Sequence, residues 1–324
     1  MNIQKLANLA GVSPGTVSKA FSGSTEISEK TKNAIFEIAK QNNCFEKYNK
    51  LKYSKKVVAV ICPEVKSEYY CSMVSYIENQ LCKQGVMMVL SISEFSAQKE
   101  EELISYHLSC KNADGIIVIE SSSDIKYNKD IPIIVVNSIK ETHDVDCINT
   151  DFYSAIIDAV ALLKQNGHTK IAYIGEELAK DKQEFFEKAM RVQRLPIKKE
   201  FIFEEKERFE SAGYKAMESI YKLSSRPTAI LAAYDYIALG AIQCIRDHGE
   251  NVPDDYSIIG IDDISFASHR NVNLTSIKSN IEEICNIALE LLMKKINVKS
   301  FSLRQHISVR GELINRSSVK DIRI

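Results

Sequence analysis

The residues with the most evident chemistry lie near the N terminus, in the run AGVSPGTVSKAF at positions 10–21. Ser13 is a suitable helix N-cap, and Pro14 fits the first helical position, where its missing N–H has no consequence. A helix that begins there can bind phosphate through its N-terminal N–H groups and nearby hydroxyls. The candidate residues for contact with a nucleic acid are Ser13, Pro14, Gly15, Thr16, Ser18, Lys19 and Ser28, the last being the N-cap of a following helix.

Catalytic chemistry has much weaker support in the sequence. No G-x-S-x-G, no H-E-x-x-H and no Gly-rich phosphate loop occurs, and the chain has only 12 Gly. His168 and Lys170, which precede an expected strand, are interpreted as a surface turn. Asp262 and Asp263 follow a strand as neighbours and should point to opposite sides, so a joint action on one atom is disfavoured. We therefore expect no enzyme activity, no catalytic residue and no cofactor.

The eight cysteines predict neither a metal site nor a redox pair. No two are closer than nine residues, so the spacing of a CxxC pair or a zinc knuckle is absent. The N-terminal run MNIQKLANLAGVS lacks the apolar core of a signal peptide, and no apolar stretch approaches the length of a membrane span. We expect free thiols in the reducing cytoplasm, no metal and no membrane contact.

Charge is unevenly distributed along the chain. Residues 1–56 contain ten Lys and four Glu, a net charge of +6, while the remaining residues carry −7. A basic N-terminal segment on an acidic body is typical of a protein that meets a polyanion at one end. The asymmetry favours a nucleic acid as partner, although a solvated Lys-rich helix alone gives the same pattern.

The N-terminal segment is predicted to fold into three short helices. Apolar residues recur there at helical spacing in three runs, which are separated by Gly11 and by the loop at residues 22–24. Two helices joined by a tight Gly turn form a helix-turn-helix unit. We assign residues 1–46 to this headpiece, and we interpret the Lys- and Tyr-rich residues 47–56 as a basic hinge.

From residue 57 the pattern changes to apolar strands that alternate with helices. The run VVAVICP has the continuous apolar character of a strand buried on both faces. This alternation predicts an α/β fold with parallel sheets and right-handed crossovers. The strands are too many for one sheet, so we expect two doubly wound subdomains that divide near residues 149–151. The N-subdomain is assigned residues 57–149 and 279–305, and the C-subdomain residues 150–278 and 306–324.

The run IQKLANLAGVSPGTVSKAFSGSTEISEKTKNAIFEIAKQ resembles the headpiece of the LacI (lac repressor) family. Further runs that resemble this family follow in its order: NGHTKIAYIG (166–175), RPTAILAAYDYIALGAI (226–242), VPDDYSIIGIDDI (252–264), NLTSIKSNI (273–281) and VRGE (309–312). The resemblance covers essentially the whole chain. It implies a sequence-specific DNA-binding transcriptional regulator, a repressor, whose body is similar to periplasmic sugar-binding proteins.

The resemblance also implies how DNA is read. In the family, the two positions after the first Ser of the recognition helix select the operator, and here they are Pro14 and Gly15. Neither side chain can hydrogen-bond to a base. Lys19 stands where Arg is usual, and an ammonium lacks the bidentate fork of a guanidinium. We expect modest direct readout and more reliance on phosphate contacts and DNA shape.

The hinge departs from the family pattern. Family members carry a Tyr-x-Pro-Asn stretch and then a short helix that inserts Leu into the minor groove. This chain reads CFEKYNKLKYSKK at residues 44–56, without Pro. Two interpretations remain open: either Leu51 or Tyr53 acts as the wedge, or the segment is a flexible tether that contacts only phosphates.

The resemblance places an effector site in the cleft between the two subdomains. Family members that bind sugars use an Arg, an Asn and two Asp there, together with aromatic side chains. The corresponding positions in this chain are Lys182, Tyr234, Asn137 and Asp262, with Ile281 at an aromatic position and Tyr69 and Tyr70 at an aromatic pair. Only Asp262 is retained, so we expect a modified carbohydrate, a larger or aromatic metabolite, or a loss of small-molecule control. For the three tyrosines, plain packing is the alternative.

The resemblance implies a homodimer that binds a pseudo-palindromic double-stranded operator, with a ligand in the cleft changing the angle between subdomains. Two other classes share features of the chain. A sugar-binding transport protein shares the body, but it requires a signal peptide and has no headpiece. An enzyme with a DNA-binding domain requires a nucleophile or an acid/base cluster in the cleft, and the sequence offers none.

Overall fold

The chain divides into two units, one containing residues 1–56 and the other nearly all of residues 57–324. The structure is a computed structural model that describes residues 1–22, 24, 26–45, 48, 56–138, 144–269, 273–298 and 303–323. Leu51 and Tyr53, the two candidate wedges, lie outside the described residues together with most of the predicted hinge. Among the described residues, no helix combines the length and apolar character that crossing a bilayer requires.

The headpiece consists of three helices, α1 (Ile3–Leu9), α2 (Pro14–Phe21) and α3 (Glu29–Gln41). Each begins at a polar N-cap whose side chain accepts a hydrogen bond from the backbone N–H three residues later. Gly11, in the turn between α1 and α2, has a φ of +63°, a conformation that glycine adopts without steric cost. The helix-turn-helix predicted from the apolar spacing is therefore present.

A small apolar core holds these helices together. Phe21 of α2 lies against Phe36 and Phe45, with ring centroids 5.0 and 5.9 Å apart. Leu6 and Val17, from α1 and α2, are fully buried beside it. One face of each short helix is thus covered, which supplies the stability that a seven- or eight-residue helix lacks on its own.

The body alternates strands and helices along the chain. Its strands are β1 (Val57–Cys62), β2 (Met87–Ile92), β3 (Gly115–Ser121), β4 (Ile133–Ser138), β5 (Asp146–Asp151), β6 (Ile171–Glu176), β7 (Ile202–Glu205), β8 (Ala229–Ala232), β9 (Ser257–Asp262), β10 (Thr275–Lys278), β11 (His306–Arg310) and β12 (Glu312–Ile314). Its helices are α4 (Glu68–Lys83), α5 (Ala97–Cys110), α6 (Phe152–Gln165), α7 (Lys180–Val192), α8 (Glu210–Tyr221), α9 (Asp235–Asp247) and α10 (Ile281–Val298).

Two six-stranded sheets define two lobes. The first lobe has the strand order β11-β5-β4-β3-β1-β2 and is packed against α4, α5 and α10. The second lobe has the order β12-β10-β9-β8-β6-β7 and is packed against α6, α7, α8 and α9. In the first sheet β1–β3, β3–β4, β4–β5 and β5–β11 pair in parallel. In the second sheet β6–β7, β6–β8, β8–β9 and β9–β10 pair in parallel, and β12 runs antiparallel to β10. The α/β class with two doubly wound sheets is therefore confirmed.

The division between the lobes differs from the sequence assignment at the C-terminal end. Residues 306–324 were expected in the second lobe, but β11 pairs in parallel with β5 of the first lobe. The chain then crosses at Gly311 to form β12 in the second sheet. A short strand with alternating polar residues carries no sequence signal for the sheet it joins, because long-range pairing decides that choice.

His168 is part of the second lobe's interior rather than a surface turn. Its imidazole is buried and contacts the Thr228 hydroxyl at 2.9 Å and the Ser257 hydroxyl at 2.9 Å. The main-chain carbonyl of Lys320 lies 3.1 Å from the ring Nε2. Burial lowers the pKa of His168 below its usual 6.5. The residue therefore holds the C-terminal segment against the sheet in its neutral form.

This arrangement predicts acid sensitivity at one residue. Because the folded pKa is lowered, folded and unfolded chains both carry neutral His168 above about pH 6.5. As the pH falls through that value, the unfolded chain takes up a proton first, and stability is lost. We expect His168→Gln to be less stable than the parent at pH 7.5, with the difference shrinking by pH 5.5, as measured by the midpoint of thermal unfolding. His306→Gln, at an exposed position, serves as the control, and an equal pH dependence in both variants would contradict the assignment.

Candidate functional site

The first candidate site is the exposed face of α2. Val17, Ala20 and Phe21 are buried, so the helix turns its opposite face outward. Gly15, Ser18 and Lys19 are exposed, and the spacing of three and four residues places Gly15 on the same face as the other two. This face carries one long cationic side chain, Lys19, and no bulky side chain where the helix begins. The sugar-phosphate backbone or a base edge of a nucleic acid can therefore approach the start of the helix closely.

Hydroxyl groups at the start of α2 are partly committed within the helix. Ser13 Oγ accepts a hydrogen bond from the Thr16 N–H at 3.0 Å and lies 2.8 Å from the Thr16 hydroxyl. Ser28 and Thr31 repeat this arrangement at the start of α3. Ser13 and Ser28 therefore act first as caps, the Thr16 hydroxyl is engaged with Ser13, and Pro14 occupies the first helical position as predicted.

Lys19, the one cation on this face, forms an ion pair with Glu26. Both side chains are mostly exposed, so the pair is screened by water and contributes little to stability. Through a hydrogen bond and its charge, Lys19 lowers the pKa of Glu26. When a phosphate or a base edge approaches, Lys19 can thus exchange Glu26, a weakly bound partner, for an acceptor on the DNA.

The second candidate site is a cavity of about 340 Å³ between the two lobes of the body. Residues at or just beyond the carboxyl ends of strands line it from both sheets. These are Glu64 after β1, Glu120 on β3, Asn137 on β4, Glu176 on β6, Tyr234 after β8 and Asp262 on β9. Open α/β sheets bind ligands at this edge.

Six of the seven predicted effector residues line this one cavity: Tyr69, Tyr70, Asn137, Lys182, Tyr234 and Asp262. Ile281 does not. It is the first residue of α10 and lines a neighbouring groove with Tyr76 of α4. Asp263, the neighbour of Asp262, forms an ion pair with Arg316 at 2.7 Å, so the two adjacent carboxylates do not converge on one atom.

Arg208 forms the most extensive set of polar contacts in the cavity. Its guanidinium donates to both oxygens of Glu64 of the first lobe, at 2.7 and 3.2 Å, and to Glu176 of the second lobe at 3.1 Å. Both carboxylates are nearly fully buried, and the rings of Phe95 and Phe209 lie 5.0 and 4.5 Å from the guanidinium carbon. Arg208 therefore bridges the lobes. Neither it nor its partners were predicted from the sequence.

A second contact joins the lobes nearby. Ser265 of the second lobe donates its backbone N–H and its hydroxyl to the carboxylate of Glu68 on α4, at 2.7 and 2.9 Å. This contact is exposed, whereas the Arg208 bridge is largely withdrawn from water. The two contacts fix the lobes at two points of the cleft.

Lys182 is another cation that lines the cavity. Its ammonium lies 5.0 Å from the centre of the Phe152 ring and 5.8 Å from that of Tyr234. Burial alone would lower the pKa of Lys182, but the carboxylates of Asp262 and Glu120 raise it, so the amine stays charged. Burial raises the pKa of Asp262 to about 7, against the opposing effect of Lys182.

Polar groups on the first-lobe side are tied to one another. Asn137 donates to the Tyr69 hydroxyl at 2.7 Å and accepts from the Thr150 N–H at 2.7 Å. Tyr70 donates to Glu120 at 2.8 Å. Tyr69 and Tyr70 are therefore buried packing residues that also present polar atoms to the cavity.

Backbone strain is concentrated at the same place. Glu120, Asn137, Phe209 and Asp262 all have positive φ, between 53° and 104° with Asp262 the largest, and all four line the cavity. Such conformations in residues other than glycine cluster at binding sites, because surrounding contacts must hold them. The strand ends are thus shaped to present side chains to the cleft. In the described part of the chain, no group of three His, Cys, Asp or Glu side chains could hold a metal ion.

Comparisons with known proteins show which proteins the two units of the chain are similar to. Residues 2–44 match the family described as bacterial regulatory proteins, lacI family, and residues 160–319 match a periplasmic binding protein-like domain. The chain is 30% identical over 337 residues to the HTH-type transcriptional repressor PurR of Actinobacillus pleuropneumoniae serotype 3 (strain JL03). The match covers 99% of this chain and 98% of that protein.

Solved structures share the fold. The lac repressor dimer bound to operator and the anti-inducer ONPF is similar with a TM-score of 0.75 and 18% identity, over 99% of both chains. The complex of the transcriptional regulator CelR with cellobiose is similar with a TM-score of 0.69 and 21% identity, over 98% of this chain and 99% of that one. At these identities the likeness concerns the fold.

The Arg208 bridge predicts a large effect of one substitution. Arg208→Met leaves Glu64 and Glu176 buried without a cation, which costs about 3 kcal/mol. We expect a fall of about 6–12 °C in the midpoint of thermal unfolding at pH 7.5. Arg191→Met is the matched control, because its guanidinium pairs with Glu187 on the surface of α7. Equal losses in the two variants would show that the bridge contributes no special stability.

Proposed function

This chain belongs to the lacI family of bacterial regulatory proteins and is a DNA-binding transcriptional regulator rather than an enzyme, and on that basis we propose that it is a repressor that binds a pseudo-palindromic operator as a homodimer. We further propose that a small molecule in the inter-lobe cavity modulates this binding. The DNA target places the protein in the cytoplasm.

The observation that carries the DNA-binding proposal is the form of α2. It is a short helix with a polar N-cap, a buried apolar face and an exposed face that begins with Pro14 and Gly15. A helix of this kind fits the major groove with its N-terminal residues toward base edges. With Lys19 as the only long donor on the face, phosphate contacts and DNA shape supply much of the affinity.

A dimer follows from the small size of the reading surface. One α2 helix reaches only a few base pairs, and helix-turn-helix proteins gain affinity by pairing two headpieces across a symmetric site. The similar lac repressor structure is a dimer bound to operator. The similar CelR structure contains cellobiose, a small molecule of a size that a cavity of 340 Å³ accepts.

The proposed switch is a population shift between lobe arrangements. Arg208 and Glu68 connect the lobes directly, so a ligand that binds between the lobes changes the stability of that arrangement. One alternative is favoured by a specific observation. Arg208 and Lys182 already place cations among the cavity's carboxylates, so the cleft can remain closed by its own side chains. A regulator without small-molecule control has this structure too.

The direct test selects operator DNA from a random pool with the full chain and measures affinity against salt concentration. Specific binding should weaken steeply with salt, since each neutralised phosphate releases counterions, with a slope of about −0.9 per contact in a logarithmic plot. A dimer should show one protected site with two symmetric halves. Undetectable or salt-insensitive DNA binding contradicts the proposal.

The Lys19–Glu26 pair gives a sharper prediction on the same assay. Lys19→Ala removes a base or phosphate contact and should weaken operator binding about tenfold or more. Glu26→Gln removes the competing carboxylate and should strengthen binding about threefold, a small gain because an exposed ion pair is weak. Glu37→Gln is the control, since Glu37 forms an equally exposed pair with Lys40 on α3. If Glu26→Gln and Glu37→Gln change affinity equally, net charge rather than release of Lys19 explains the gain.

A further inference from the structure

The inter-lobe cavity carries an excess of negative charge. Four carboxylates lie inside it, on Glu64, Glu120, Glu176 and Asp262, and they face two cations, Lys182 and Arg208. At the rim, Asp181 and Glu184 outnumber Lys188. Arg208 pairs with one carboxylate from each lobe, and counting Lys182 against Glu120 and Asp262 still leaves an anionic surplus.

Some of these carboxylate oxygens also lack a hydrogen-bond donor. Glu176 is 3% exposed, and its Oε1 accepts from Arg208, but its Oε2 is buried without a hydrogen-bond partner among the described residues. Asp262 Oδ1 and the Thr150 hydroxyl are in the same condition, and both residues line the cavity. A carboxylate oxygen can only accept, and leaving it unpaired is unfavourable. A fitting ligand must therefore bring donors.

Charge then separates the classes of ligand. A neutral sugar brings donors but leaves the negative charge uncompensated. A phosphorylated metabolite adds negative charge to a buried anionic site, which is repulsive at low dielectric. An ammonium group brings three donors, no acceptor and one positive charge. It satisfies the orphan oxygens and the charge surplus together.

The aromatic walls favour the same choice. Both internal cations lie over aromatic rings, Lys182 over Phe152 and Tyr234, and Arg208 over Phe95 and Phe209. A ring face attracts cations, most strongly where water is excluded. The positions of Lys182 and Arg208 thus indicate that the aromatic walls of the cavity favour positive charge. About 340 Å³ remains open beside them.

From this geometry we propose that the effector is a protonated amine on a compact cyclic or short-chain skeleton, whose ammonium donates to the unpaired Oδ1 of Asp262, with Glu120 adding negative charge nearby. The inference rests on the proposed function of the cavity as the effector site, and it narrows the ligand class. Hydroxyl or ring groups of the skeleton fill the space toward Glu176 and Thr150. A neutral or anionic analogue of the same shape binds poorly.

The test compares amines with neutral partners of the same shape on the full chain. The probes are D-glucosamine against D-glucose, tyramine against 4-ethylphenol, and cadaverine against 1,5-pentanediol, with D-glucose 6-phosphate as the anionic probe. Thermal shift at rising probe concentration and titration calorimetry near pH 7 report binding. We expect at least one amine to bind, and its neutral partner to bind at least tenfold more weakly.

Two variants localise the site. Glu120→Gln and Asp262→Asn keep size and shape but remove charge, and each should weaken amine binding about tenfold or more. Glu101→Gln, on the exposed face of α5, should leave binding unchanged. Circular dichroism and the unfolding midpoint without probe confirm that each variant is folded, so that a loss of binding is not a loss of structure.

The remaining outcomes overturn the inference. The proposal fails if no amine raises the unfolding midpoint, or if a neutral partner binds with an affinity within threefold of that of its amine. It also fails if D-glucose 6-phosphate binds more tightly than D-glucosamine, or if both charge-removing variants bind amines as tightly as the parent does. Operator binding measured on the same samples without probe keeps the two proposals apart. A chain that binds operator but no amine overturns this inference alone, while a chain that binds no DNA overturns the proposed function.

Discussion

Arg208 lies between a carboxylate of each lobe, and the form of the cleft depends on that bridge. Glu64 and Glu176 are both nearly buried, so either one alone would be a costly unpaired charge. The guanidinium satisfies three of their four oxygens at once and lies within about 5 Å of two aromatic rings. Moving the lobes apart separates Arg208 from Glu64 and leaves Glu176 to hold it. Closure of the cleft is thus coupled to the pairing of one side chain.

This coupling gives the cavity its regulatory potential. A ligand changes the population of a lobe arrangement only by binding that arrangement better than others. Here the walls of the binding space and the contacts that hold the lobes are the same residues, so binding and lobe position cannot be independent. The strained strand ends that carry Glu120 and Asp262 strengthen this coupling between ligand binding and lobe position. Their positive φ angles persist only while the neighbouring contacts are kept.

Local sequence patterns were enough to predict the elements, and they failed where distant residues decide. Ser13 and Ser28 were identified as caps because capping depends on a few adjacent residues. The strands β5, β10 and β12 carry little local signal, since DCINTD is half polar, TSIK has four residues and ELI has three. Strand β11 was assigned to the wrong lobe because an edge strand acquires its sheet from long-range pairing.

The candidate sites show the same limit. Six cavity residues were found through family resemblance, whereas Arg208 and Glu64, 144 positions apart in the sequence, belong to no motif. A lone Arg before a helix and a lone Glu after a strand are ordinary surface residues until the lobes are placed together. The placement of Ile281 failed for a related reason, because helix α10 begins at that residue and lies over a different groove.

The two sites use ion pairs of opposite kinds, and the difference suits their tasks. Lys19 and Glu26 are mostly exposed, so water replaces either partner at little cost and DNA can take the cation. Arg208 and its carboxylates are withdrawn from water, so separation is expensive and the pair persists until something else compensates the charge. A DNA contact must form and break readily. A regulatory switch must instead keep one lobe arrangement until a ligand supplies the free energy needed to change it. The buried Arg208 ion pairs, with uncompensated negative charge beside them, set the size of that free energy.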